Sequence, residues 1–228
     1  MPHHFYNAGV NERSFITAWG FVQDPFIPLS RSFVIMGKRA QIMQVALELF
    51  IEQGFHGTTV QMIASKANMA AGSLYRYFQG KEELIRQLYQ MSMEMMVDKL
   101  FGGLDLSQVN FETYRQLWFN ACSGLQSHHD VLLFKDLYER SPFLTAQDKL
   151  WVQHCWQPLD DFFQAGIEIG LFRAMPPCLL GALSLATVQC VMHEHKFYDF
   201  ELTDDLKEQM AAASWKAILA EPQDTLGA

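Results

Sequence analysis

The stretch TTVQMIASKANMAAGSLYRYFQGKEEL, residues 58–84, constrains the fold more than any other part of the chain. Thr58 and Thr59 are helix-capping types ahead of an apolar run at helical spacing, Val60, Ile63, Ala64 and Ala67. Asn68-Met69-Ala70 interrupts that run, and asparagine is one of the few residues besides glycine that accepts a left-handed turn. A second short run places Leu74 and Phe78 on one face. Gln79-Gly80 closes it before Lys81-Glu82-Glu83-Leu84 opens another helix. Two short helices joined by a tight turn form a helix-turn-helix. The second helix of such a motif can lie in the DNA major groove with its first residues at the base edges.

The residue types on that second helix suit the groove. Ala71, Gly72 and Ser73 are small, which lets the helix start approach the groove floor. With Leu74 and Phe78 turned inward, Ser73, Tyr75, Arg76 and Tyr77 are left outward or flanking. Tyrosine hydroxyls reach phosphates, and arginine reads guanine or binds phosphate. Lys81, at the next helix start among free backbone N–H groups, is a further phosphate candidate. So are Gln61 and Lys66 on the first helix, and Thr58 or Thr59 at its cap. Each has a plainer reading: Tyr75 as a partly buried core aromatic, Arg76 and Lys66 as solvated surface charges.

Upstream, Ile42, Val45, Ala46, Leu49 and Phe50 form an apolar stripe on a helix over 38–53, and Gly54 stands where a terminating glycine would. Phe55 is expected to pack back on a three-helix core of Ile42, Ala46, Phe50, Ile63, Ala64, Leu74 and Phe78. In order and spacing, Arg39, Ile42, Ala46, Phe50, Gly54, Phe55, Thr59, Ile63, Ala64, Ala67, Gly72, Leu74, Tyr75, Phe78, Lys81, Glu82 and Leu84 resemble the DNA-binding domain of the tetracycline-repressor (TetR) family of bacterial regulators. Three positions depart from the family pattern. Asn68 replaces a usual glycine. Ala70 replaces a capping serine, at a cost of about 1 kcal/mol. Tyr77 replaces a common histidine and keeps a hydroxyl for a phosphate.

The resemblance implies an all-α protein. A three-helix helix-turn-helix DNA-binding domain would occupy residues 36–84, its motif at about 59–78, and a helical effector-binding and dimerisation bundle residues 85–228. It implies double-stranded operator DNA, a small apolar effector and a second copy of the chain as partners, with no cofactor and no metal. The last two helices would make the dimer interface, and the helix over 81–100 would carry the ligand signal.

A net charge of −8 looks wrong for a nucleic-acid binder until it is divided. Residues 36–90 hold six Lys/Arg and four Glu, whereas residues 91–228 hold nine Lys/Arg and nineteen Asp/Glu. The cations gather where phosphate would be met. Cys122, Cys155, Cys178 and Cys190 form no C-x-x-C pair and read as buried, reduced thiols. No apolar run approaches the ~18 residues of a membrane span, and no signal peptide is apparent, so a cytoplasmic location is expected. Residues 1–35 carry no period, and Met36 is expected to be the native start; an arm packed on the DNA-binding domain is the alternative.

Beyond residue 84 the pattern is helical throughout. Helices are expected over 81–100, 107–127, 130–139, 145–169, 177–195 and 203–219, with Pro158 kinking or splitting the fourth of these. The helix over 81–100 is rich in methionine, which reads as adaptable core. Trp118, Phe119, Cys122, Phe134, Tyr138, Trp151, His154, Cys155, Trp156, Phe162 and Phe163 crowd the middle helices, and all of them but Trp156 and Phe163 are the candidate lining of an apolar ligand cavity. Ordinary core packing is the alternative for each. His193-Glu194-His195 does not make a metal site, because residues two apart do not share a helix face. An enzyme on a helical bundle lacks support, since no G-x-S-x-G, nucleotide-binding glycine loop, H-E-x-x-H or C-x-x-C occurs. A helical protein-interaction module with a degenerate helix-turn-helix is the remaining alternative; Tyr75, Tyr77 and Lys81 argue against it.

Overall fold

The computed structural model describes residues 37–220. The expectations for residues 1–35 and for a native start at Met36 lie outside them. The described residues form ten helices: α1 Gly37–Gly57, α2 Val60–Lys66, α3 Ala71–Leu74, α4 Lys81–Phe101, α5 Phe111–Ser127, α6 His129–Glu139, α7 Ala146–Glu168, α8 Pro177–Leu183, α9 Thr187–Tyr198 and α10 Asp204–Ile218. Their only β-pairing is an isolated antiparallel bridge between Phe172 and Leu219. The protein is all-α, as the sequence implies.

Local chemistry sets the ends of these helices. The Thr59 side chain caps α2 by accepting from the Met62 N–H, and Asn110 and Thr203 do the same for α5 and α10. Thr145 and Asp148 close a reciprocal capping box at α7. Gly54, at φ 71° and ψ 174°, turns the chain out of α1 before the short return through Phe55. Asn68 takes the left-handed turn between α2 and α3 at φ 54°.

Three expected elements differ. The helix over 145–169 is not split: α7 runs through Pro158. Pro158 is exposed, and so is His154, whose carbonyl loses the i→i−4 donor and can turn to water. The helix over 177–195 is two helices, broken where Ser184 adopts φ −115° and ψ −80°. Buried Ser184 donates its hydroxyl to the Leu180 carbonyl at 2.6 Å, and Thr187 donates to the Ser184 carbonyl, a local bonding pattern that competes with the helix ladder. The recognition segment is α-helical only through Leu74. Tyr77 and Phe78 then both bond the Leu74 carbonyl, at 2.9 and 3.1 Å, as a tightened final turn.

Packing forms two cores. The first joins α1, α2, α3 and the first half of α4, and it also takes in Val131, Phe134 and Tyr138 of α6. The second gathers Leu100, Tyr114, Leu117, Trp118, Leu159, Phe162, Phe163, Phe172, Val188 and Trp215. Phe55 packs at 5.2 Å on Phe50, as expected, but also at 5.8 Å on Phe134 and 5.4 Å on Phe143. The ring that closes the helix-turn-helix head therefore also ties it to α6.

Candidate nucleic-acid interface and effector cavity

Burial divides the residues of the α2–α3 segment into two sets. Ile63, Ala64, Ala67, Leu74 and Phe78 are buried. Thr59, Gln61, Lys66, Gly72, Tyr75 and Arg76 are exposed, and Ala71, Ser73 and Tyr77 are half-buried. Tyr75 is 56% exposed, which removes its reading as a core aromatic. Arg76 forms no ion pair among the described residues. Lys66 lies 3.1 Å from Glu48 and 3.9 Å from Glu52 of α1, so its charge is shared with acids on its own surface.

Two expected phosphate contacts are differently employed. Thr58 is fully buried, and its hydroxyl donates to the Leu49 and Gly54 carbonyls at 3.0 and 2.9 Å. It serves the α1 exit and has no exposed atom to offer DNA. The Lys81 ammonium donates to the Phe55 and Thr58 carbonyls at 2.8 and 3.0 Å. Lys81 therefore fastens the start of α4 to the end of α1, with one donor left of its three. Arg39, an expected family position, lies 5.1 Å over the Phe78 ring and also bonds Gln87, closing α1 against α4.

A cavity of about 440 Å³ lies between α4, α5, α6, α7 and the α8–α9 break. Its apolar wall includes Met95, Met96, Leu100, Leu125, Leu159 and Val188; Lys99, Asn120, His128, Lys135, Glu139 and Gln189 add polar groups. None of the nine candidate lining residues borders this cavity, although Trp156 of the same aromatic cluster does. Phe134 and Tyr138 belong to the first core, with Trp151 packed against it. Trp118, Cys122 and Phe162 are buried in the second, with Phe119 at its edge under Arg115. His154 is exposed and Cys155 half-buried. The reason is steric. Large rings fill volume and seek dense packing, whereas this void is lined by small residues, Ala121, Gly124, Gly181 and Ala186, together with Met95, Met96 and a single large ring, Trp156.

The cavity wall carries a polar relay. Glu139 accepts from Lys135 at 2.8 Å and from the Tyr89 hydroxyl at 2.9 Å. Tyr89 stacks at 4.1 Å on Tyr138, which donates to Asp148 at 2.9 Å. Burial, then Glu139, pushes the Tyr89 hydroxyl pKa well up, so it remains a donor. Burial, then the Lys99 charge, lowers the pKa of His128. Burial pushes the Cys122 thiol up to about 12, which leaves it an inert core group. The buried reading of the cysteines holds for Cys122; Cys155 is half-buried, and Cys178 and Cys190 are exposed.

A three-helix head with an exposed recognition surface, on a helical body with its own cavity, defines a helix-turn-helix transcriptional regulator. The family model "Bacterial regulatory proteins, tetR family" matches residues 42–88, and "Tetracyclin repressor-like, C-terminal domain" matches residues 110–219. The chain belongs to the TetR family. It is 31% identical over 179 residues to an uncharacterized HTH-type transcriptional regulator of Haemophilus influenzae, covering 78% of this chain and 94% of the relative. It is 27% identical over 150 residues to the HTH-type transcriptional repressor KstR2 of Mycobacterium tuberculosis, covering 61% of this chain and 71% of that one. The structure of a TetR family protein from Vibrio parahaemolyticus superposes with TM-score 0.69 at 29% identity, covering 81% of this chain and all (100%) of that one. No helix among the described residues is long and apolar enough to cross a membrane.

Proposed function

We propose that this regulator is a ligand-responsive repressor whose dimer binds a palindromic operator and is released by a small effector in the cavity. One observation carries the reading. Helix α6 gives Val131, Leu132, Lys135 and Glu139 to the cavity wall, while its Phe134 and Tyr138 pack in the core of the head. A molecule that moves α6 therefore acts on the element that seats α1. The effector shifts a population between two spacings of the recognition helices, by no more than its differential affinity for them.

The proposed DNA contacts are Thr59, Gln61, Gly72, Ser73, Tyr75, Arg76 and Tyr77, with Lys81 holding the frame. Dimerisation is proposed through α8 and α9. Leu179, Leu183, Phe197 and Tyr198 are exposed there. The apolar face of α10 is already spent on the second core through Ala211, Trp215 and Ile218. A two-fold dimer then presents two heads to half-sites about one DNA turn apart.

Fluorescence anisotropy with the DNA upstream of the gene tests this. Binding should exceed that to scrambled duplex by about 10³ or more and weaken steeply with salt. Equal affinity for both duplexes rejects a specific operator. No binding to either at low salt favours the protein-interaction module.

A further inference from the structure

We propose that the cavity takes a carboxylate-headed aliphatic amphiphile, its head held at Lys99 and His128 and its chain directed toward Leu159 and Val188. This rests on the reading of the cavity as the effector site and names the chemistry that site selects.

The charges in the wall are unequally satisfied. Lys135 is held by Glu139 at 2.8 Å, so these two cancel within the protein. Lys99 lines the same cavity and forms no ion pair among the described residues. It is solvent-exposed, which places it at the mouth. Its Cβ lies 3.9 Å from where a Cβ on Gly124 would stand, one helical turn before His128. His128 occupies the corner between α5 and α6, and its Nδ1 is buried without a hydrogen-bond partner. A buried polar atom left unpaired is costly, and a ligand atom that pairs with it binds with that cost removed.

Head-group chemistry follows from this corner. Lys99 donates, and His128 donates from Nδ1 when the proton resides there, so two donors on two elements meet the two oxygens of one carboxylate. A neutral alcohol leaves the Lys99 charge unmatched, and a cationic head is repelled. Behind the corner, Met95, Met96, Leu100, Leu125, Leu159 and Val188 offer only apolar surface. The volume of about 440 Å³ falls within the ~300–1,000 Å³ of small-molecule sites.

Isothermal titration calorimetry of the full chain with decanoate, decanol, decyltrimethylammonium and decyl phosphate tests the assignment. Decanoate should bind at least about tenfold tighter than decanol, a charge-assisted bond's worth, and the cationic compound least. Lys99→Met should erase the preference for decanoate and leave decanol unchanged. Ala121→Phe, which fills the cavity, should abolish binding of both. Equal binding of decanoate and decanol, or a Lys99→Met protein with undiminished decanoate affinity, overturns the head-group assignment while the cavity reading stands. Tighter binding of decyl phosphate replaces carboxylate by phosphate and overturns the proposal as stated. Failure of every compound to bind, or decanoate binding unaffected by Ala121→Phe, removes the effector site itself.

Discussion

Thr58 and Lys81 illustrate how little residue type alone says about role. Both are chemically suited to a phosphate, and both are instead committed to backbone carbonyls at the end of α1. Thr58→Val should therefore cost about 1–3 kcal/mol by removing the one hydroxyl proton shared between the buried Leu49 and part-buried Gly54 carbonyls, read as a shift of the urea midpoint. Arg76→Ala should weaken operator binding with no change in that midpoint, since Arg76 is exposed and unpaired among the described residues. If Thr58→Val proves neutral to stability and harmful to DNA binding, the assignment of Thr58 to the core is wrong. Gly166 makes a different residue-scale case. A Cβ there would stand 2.0 Å from the Phe172 ring, and that ring is wedged between Phe162, Phe163 and Trp215. Gly166→Ala should destabilise by about 1–3 kcal/mol or more, measurable by thermal unfolding. His128 adds a pH dependence of known sign. Its folded pKa lies below the ordinary 6.5, so the unfolded chain binds the proton first, and stability falls as pH drops through the ordinary value. His128→Gln should flatten that part of the stability–pH curve.

At the scale of elements, the head was legible because its instructions are local. Capping by Thr59, the left-handed turn at Asn68, the inward Leu74 and Phe78 and the exit at Gly54 are each decided by a few neighbouring residues. The cavity was not legible, because a void depends on what fails to meet across five helices, and no window of sequence holds that information. The break at Ser184 was hidden for a related reason: the small residues around it read as a close-packing helix, while the Ser184 and Thr187 hydroxyls captured backbone carbonyls instead. The role of α6 was missed as well. One side of it packs rings on Phe50 and Phe55 in the first core, and its polar edge lines the cavity. Its attachment to α4 rests on the Tyr89–Glu139 hydrogen bond and the Tyr89–Tyr138 stack. Tyr89→Phe keeps the stack and deletes the bond, so it should lose about 1.5–3 kcal/mol, the range for a bond to a charged group. Denaturant unfolding reads the loss directly. A neutral result would mean that α4 and α6 are held by ring packing alone, and that Glu139 carries no signal from the cavity to the helix behind it.

For the whole molecule, charge and symmetry decide how an acidic chain meets DNA. The head carries only a small cationic excess, and the body is strongly acidic. One head therefore has little long-range attraction, and affinity has to come from two heads acting together. Joining two weak contacts in one body makes the second binding event intramolecular, which is worth about 10²–10⁴-fold without any new contact. The apolar side chains available for that junction are Leu179 and Leu183 on α8, four residues apart on one face, and Phe197 and Tyr198 at the end of α9. Charges placed on the α8 pair should split the dimer without disturbing either core, because both leucines are exposed in the single chain. Leu179→Glu with Leu183→Glu should sediment as a monomer, unfold at a lower midpoint that no longer depends on protein concentration, and lose operator affinity by about the avidity factor. Its affinity for a single half-site should stay close to that of the wild type, since the recognition face is untouched. A variant that remains dimeric and binds the operator normally would move the interface elsewhere, to other exposed apolar positions such as Leu133 of α6 or Leu150 and Ile169 of the α7 region.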